Sequence, residues 1–295
     1  MLQRFLDPAT LASISGLDLV AKTVVDGFIA GLHRSPDYGF SQEFAEYRAY
    51  TPGDDLRHVD WNVFARSERV YLKRYRGETN TQLLILLDAS ASMGYGSHAV
   101  NKLDYARFLA ASLCYLAHAQ RDAAGLIIFD EDVQNYLAPT TRQGQLFRLL
   151  HALEKAQPGT RTDFAKPFAH FLNFMRRRGL VVVISDYYEQ PEVIIKTVEP
   201  LRFRGNEVIL FHVLDPQEIA PQFREPVLLT DMETSGTLEV SPEYARSEYR
   251  RKIDSHIQAL RDQAKGAGLD YFLMNTGRPL DEGLREYLGV RQGRM

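Results

Sequence analysis

Three short stretches hold the oxygen atoms from which a function can be read. The first is Asp88-Ala89-Ser90-Ala91-Ser92, one carboxylate followed by hydroxyls at alternate positions. The second, Pro158-Gly159-Thr160-Arg161-Thr162-Asp163, offers two more hydroxyls, and the third is Ser185-Asp186. Together, Asp88, Ser90, Ser92, one threonine and Asp186 make a hard, all-oxygen ligand set of low charge. That set suits Mg²⁺, or a similar divalent cation such as Mn²⁺. The alternate spacing lets Asp88, Ser90 and Ser92 face one point only where the chain curls. The plain alternative for the serines is helix capping.

Other chemistries find little support. The chain has no Gly-rich nucleotide loop, no His-Glu-x-x-His and no nucleophile elbow, and its eight histidines are scattered. A hydrolase or phosphotransferase with Asp88 as nucleophile is the enzymatic alternative. Against it, Ser90 stands where a second carboxylate would be wanted, and no lysine follows in a suitable loop. Asp54, Asp55, His58 and Asp60 form a polar cluster able to bind a metal or move protons. The structural reading is preferred there: an Asp-stabilised turn, with Arg48, Arg57 and Arg66 paired to carboxylates. No intrinsic enzymatic activity is expected.

The 295 residues contain 35 basic and 38 acidic side chains, a formal charge of −3. This balance excludes a polybasic nucleic-acid binder and an acidic tail. From Phe44 to Glu78, seven basic residues face six acidic ones, which indicates ion pairs rather than a phosphate-binding stripe. Arg176-Arg177-Arg178 reads as a helix end, and Trp61 as a core residue. The one cysteine, Cys114, excludes a disulfide framework and reads as a buried thiol. No stretch approaches the ~20 apolar residues of a membrane span, and no signal peptide is evident. A cytoplasmic protein without membrane insertion is expected.

The elements that position these residues follow from hydropathy. Leu83–Leu87, Gly125–Phe129, Leu180–Ile184, Val208–Leu214 and Tyr271–Met274 are short apolar runs that predict buried strands. Helical patterns separate most of them: Leu103–Gln120, Gln145–Ala156, Phe164–Arg178, Val193–Phe203 and Pro242–Lys265. This alternation predicts an α/β fold, a doubly wound, mostly parallel sheet flanked by helices over residues 81–295. Val133–Ala138 follows its neighbour too closely for a crossover and is predicted as an antiparallel edge strand. Val227–Val240 reads as an inserted hairpin turning at Gly236. Residues 1–80 read as a helix, Leu17–Leu32, followed by a β-rich extension with segments at Phe44–Tyr50, His58–Phe64 and Val70–Arg76. The hairpin is a candidate to complete that extension. Ligands of such sheets lie beyond the carboxyl ends of the strands, which is where all three oxygen-bearing stretches fall.

This constellation resembles the metal-ion-dependent adhesion site of von Willebrand factor A domains. The resemblance implies direct metal ligation by Ser90 and Ser92, with Asp88 and Asp186 acting through water. It assigns the loop threonine to Thr162, with Thr160 as the rival. Upstream, Glu43-Phe44, Arg48-Ala49-Tyr50, Pro52-Gly53-Asp54-Asp55, Arg57, Asp60-Trp61, Ala65-Arg66 and Arg74 to Glu78 resemble the signature of the domain of unknown function 58 family. That family joins the signature to a von Willebrand A-like domain and often travels with MoxR-type AAA+ ATPases. The resemblance implies a metal-dependent interaction module, an adaptor in chaperone-like maturation or assembly of other proteins. The client protein would supply a carboxylate to the metal. A metal-free structural scaffold is the remaining alternative. Without metal, the two aspartates repel, and Arg161 or Lys166 is expected to compensate.

Overall fold

The computed structural model describes residues 7–32, 46–49, 63, 70–74, 82–159, 161, 166–168, 171, 178–232, 236–280, 282 and 284. Two compact units divide the chain. One joins Met1–Ala30 with Thr81–Met295, and the other is Gly31–Asn80.

The larger unit begins with α1 (Pro8–Ala12), capped by Asp7, and α2 (Leu17–Leu32). Leu11, Leu17, Val20, Ala21, Val24 and Val25 are buried. The Leu17 N–H donates to Glu154 Oε1 at 3.2 Å, and Leu17 and Val20 line a cleft of about 250 Å³ with Arg107, Phe108 and Glu154. A break does fall between Asn80 and Thr81, but Met1–Ala30 group with the α/β unit rather than with the segment that follows them.

In the smaller unit, β1 (Glu46–Ala49) and β2 (Tyr71–Arg74) pair antiparallel. Val63, the described residue of the expected segment His58–Phe64, is helical rather than extended. Asp54, Asp55, His58, Asp60 and Trp61 lie outside the described residues.

The main sheet contains β3 (Gln82–Asp88), β4 (Ala123–Phe129), β5 (Val133–Thr140), β6 (Gly179–Ser185), β7 (Glu207–Leu214) and β10 (Asp270–Asn275). Its order is β10-β7-β6-β3-β4-β5, parallel throughout except for β5, which pairs antiparallel with β4 at the edge. The inner strands are buried on both faces, as their unbroken runs of Val, Ile and Leu require. Crossovers are made by α3 (Lys102–Ala119) between β3 and β4 and by α5 (Pro191–Phe203) between β6 and β7. A further helix, α4 (Gln145–Lys155), follows β5. From β3 the chain winds to one side, and from β6 to the other, so the topological switch lies between these two strands.

After β7 come the short α6 (Pro216–Ile219), the hairpin β8 (Val227–Thr230) and β9 (Thr237–Val240), and α7 (Arg250–Gly266). Ser241 caps the turn Pro242–Tyr244, and a π-helical turn, Ala245–Tyr249, then leads into α7. The hairpin is a two-stranded sheet of its own and does not extend the β1–β2 ladder. Its Leu228 and Leu238 are exposed, while Val240 is buried. Among the described residues, no helix is long and apolar enough to cross a membrane.

Candidate functional site

Asp88 is the last residue of β3, and Asp186 follows the last residue of β6. Both are buried at the carboxyl edge of the sheet, on either side of the switch point. The chain curls directly after Asp88. Its Oδ1 accepts the Ser90 N–H at 2.8 Å, and a 3₁₀ turn, Ala91–Gly94, begins beyond Ser90. This curl brings Ser90 Oγ to 3.1 Å from Ser92 Oγ. The remaining Asp88 oxygen, Oδ2, accepts the Ser185 hydroxyl at 2.6 Å, and Ser185 Oγ in turn accepts the Tyr187 N–H at 3.0 Å. Tyr187 has a left-handed backbone, φ 50°. Its hydroxyl donates to Val183 O at 2.9 Å, and His256 Nε2 lies 3.0 Å from its carbonyl. These bonds hold a conformation that costs a non-glycine residue about 1 kcal/mol.

The donors to Asp88 are neutral, and burial pushes its carboxyl up to about 7, reinforced by the negative charge of Asp186. Asp186 has its own cation. Lys102 Nζ donates to Asp186 Oδ2 and to Glu218 Oε1, both at 2.7 Å. Lys102 is 0% exposed and its ammonium lies 4.8 Å from the Tyr188 ring centre. Burial alone would depress this lysine, but the two carboxylates outweigh it and raise it. Glu218 is raised by burial, with Lys102 opposing. The cation expected near the aspartates is therefore neither Arg161 nor Lys166. Arg161 is exposed, and Lys166 pairs with Asp132.

The second loop is anchored where the site needs it. The Gly159 N–H donates to Ala89 O at 2.6 Å. A Cβ at this position would lie 2.2 Å from Asp130 Oδ2 and 3.2 Å from Ala89 O, so any larger residue must displace the Asp130 carboxylate at the end of β4. Asp130 itself is held by the Asp132 N–H and the Gln134 side chain. Thr162 and its rival Thr160 lie outside the described residues. The structure thus brings Asp88, Ser90, Ser92 and Asp186 to the switch-point edge.

The Ser90 and Ser92 hydroxyls share a hydrogen bond at 3.1 Å, a separation that also fits adjacent ligands of an octahedral Mg²⁺ with bonds of about 2.0–2.1 Å. Among the described residues, no three His, Cys, Asp or Glu side chains gather into a metal cluster, so a metal here relies on serine oxygens.

Sequence reasoning missed Lys102 and Glu218, and named Ser185 without its role as donor to Asp88. Lys102 left a signal: it follows the helix cap Asn101, where a cation opposes the helix dipole. Glu218 was legible only as the last member of the capping box that starts at Asp215.

Residues 46–259 match the family described as "Protein of unknown function DUF58". The chain belongs to the DUF58 family. The DUF58 match runs from β1 into α7 and encloses Asp88, Ser90, Ser92, Lys102, Asp186 and Glu218. An uncharacterized protein of Mycobacterium tuberculosis (strain ATCC 25618 / H37Rv) is 29% identical over 278 residues, covering 92% of this DUF58 chain and 86% of the relative. Similar solved structures include BatB, a conserved hypothetical protein of Bacteroides thetaiotaomicron. It covers 71% of this chain and 98% of its own, at 14% identity and a TM-score of 0.47. A von Willebrand factor type A structure from Catenulispora acidiphila covers 70% of this chain and 41% of its own, at 11% identity and a TM-score of 0.43.

Proposed function

We propose that this DUF58 protein is a non-enzymatic, metal-dependent protein-interaction module with an adhesion-type site at the carboxyl edge of a von Willebrand A-like sheet. The observation that carries this reading is the placement of Asp88, Ser90 and Ser92 at the end of β3 and of Asp186 at the end of the adjacent β6. The two serine hydroxyls there are spaced as cis ligands. Ser90 and Ser92 would hold Mg²⁺ or Mn²⁺ directly, and Asp88 and Asp186 would orient its waters. Thr162, or Thr160, would complete the protein's share. Bound there, the cation supplies an under-neutralised positive charge that a carboxylate of a client protein can complete.

Two neutral donors occupy the oxygens of Asp88, which is fully buried. This disfavours Asp88 as a nucleophile, and with it the hydrolase reading. The family resemblance supports a MoxR-type AAA+ ATPase as partner and an adaptor role in maturation or assembly of client proteins, in the cytoplasm. A β-rich extension before residue 80 stays part of the proposal, and the antiparallel pair β1–β2 supports it. The ion pair of Lys102 with Asp186 favours one rival, a scaffold that needs no metal.

Affinity capture with the wild type and Ser90→Ala, each in Mg²⁺ and in chelator, tests the proposal. Partners, the ATPase among them, should be retained by the wild type in Mg²⁺ and lost in chelator and from Ser90→Ala. Equal capture under all conditions overturns the adhesion-site mechanism.

A further inference from the structure

Lys102 is a fully buried charge. Lysine is almost never fully buried unless paired, and at the start of a helix its charge opposes the dipole. Lys102 meets both costs by contacting two carboxylates from distant parts of the chain, Asp186 at the end of β6 and Glu218 in α6. The two partners are unequal. Asp186 stands at the switch-point edge of the sheet and is 1% exposed at its side chain, whereas Glu218 comes from α6 and is 12% exposed. Lys102 thus neutralises Asp186 and Glu218, while the oxygens of Asp88 take neutral donors.

We infer that Lys102 is a tethered counter-cation of Asp186, which competes with a divalent ion for that carboxylate and keeps the fold intact when no ion is bound. The inference rests on the metal reading above and adds a regulatory element to it. When a divalent ion is held by Ser90 and Ser92, Asp186 turns its charge to that ion's waters and Lys102 stays paired with Glu218. The ammonium thus sets the cation concentration at which the site fills. A client carboxylate, by completing the coordination, helps the ion win Asp186 from Lys102.

The test uses the full chain, with Mn²⁺ as the probe in calorimetry or EPR, and thermal unfolding in chelator and in Mg²⁺. The variants are Lys102→Met and Lys102→Met/Ser90→Ala. Removing a unit charge this close should tighten Mn²⁺ binding by about tenfold or more in Lys102→Met. Its stability should fall below that of the wild type in chelator and recover in Mg²⁺, and adding Ser90→Ala should abolish both effects. If Lys102→Met folds only when refolded in Mg²⁺, that also supports the inference. A variant-free readout is the Lys102 ammonium resonance of the wild type, which should shift with Mg²⁺ at the midpoint of direct binding.

Unchanged Mn²⁺ affinity in folded Lys102→Met, with binding still sensitive to Ser90→Ala, overturns the competition and leaves the metal site standing. An ammonium resonance indifferent to saturating Mg²⁺ does the same. No Mn²⁺ binding by either the wild type or Lys102→Met overturns both readings and leaves Lys102 as the counter-ion of Asp186 in a metal-free scaffold.

Discussion

The Ser185 hydroxyl on β6 donates to Asp88 Oδ2 on β3 at 2.6 Å, joining side chains 97 residues apart across two parallel neighbours. This bond fixes one oxygen of a buried carboxylate, and the same hydroxyl supports the turn after Asp186 by accepting the Tyr187 N–H. Ser185→Ala orphans a buried carboxylate oxygen and a backbone N–H together. The loss should be about 2–3 kcal/mol, measured by urea unfolding in chelator.

Asp88 should make the metal-free protein less stable as pH rises. Its folded value is about 7 against an ordinary 3.8, so the folded state binds the proton more tightly. Its contribution is fully present below pH 3.8 and is lost as pH climbs through 7, with a slope approaching 1.4 kcal/mol per pH unit. Asp88→Asn should remove this contribution, leaving stability to rise with pH through the opposing His212, and should raise the melting temperature at pH 8 in chelator. Denaturant titrations across pH 4–8 check both.

His212 acts in the opposite sense. Burial pushes it down to about 3 from 6.5, with His256 nearby adding to the effect. The unfolded chain therefore binds the proton that the folded protein refuses, and the His212 contribution is lost as pH falls from 6.5 towards 3. The wild type should show a shallow pH profile, because the Asp88 and His212 slopes oppose. His212→Asn should unmask the Asp88 slope as a clear loss of stability with rising pH.

Gly159→Ala places a methyl group 2.2 Å from Asp130 Oδ2 and 3.2 Å from Ala89 O. Overpacking of this kind costs about 1–3 kcal/mol. The same variant should also weaken Mn²⁺ binding, because it crowds the contact between Gly159 and Ala89 just beyond β3. Calorimetry and thermal unfolding read the two effects separately.

Cys114 should be chemically silent. Burial pushes its thiol up to about 12, so no thiolate forms at neutral pH. Thiol reagents should label it only at the rate of global unfolding, and adding denaturant should release one equivalent.

The sheet was legible because its inner strands are continuous apolar runs that no surface element tolerates. The edge strand was legible because Glu131 and its neighbours leave no length for a crossover. Asp88, Ser90, Ser92 and Asp186 followed from their position just past strand ends. Lys102 did not, because its partners are 84 and 116 residues away and no local pattern encodes such a pairing. The hairpin misled for a related reason. A two-stranded unit is marginal alone, yet Val240 finds burial within the larger unit and the hairpin borrows no strand. The π turn at Ala245–Tyr249 interrupts Pro242–Lys265, which the sequence pattern presents as one continuous helix.

The packing of α2 sets an order of events during synthesis. Its first residue, Leu17, finds its hydrogen-bond partner Glu154 only 137 residues later. At ordinary translation rates that interval is roughly 7 to 27 s, during which the apolar face of Leu17, Val20 and Val24 has left the ribosome without its cover. Nascent chains spend this time as targets for holdase chaperones or for one another. Polar substitutions on this face therefore trade native stability for cleaner biogenesis, so soluble yield and melting temperature should diverge at these three positions.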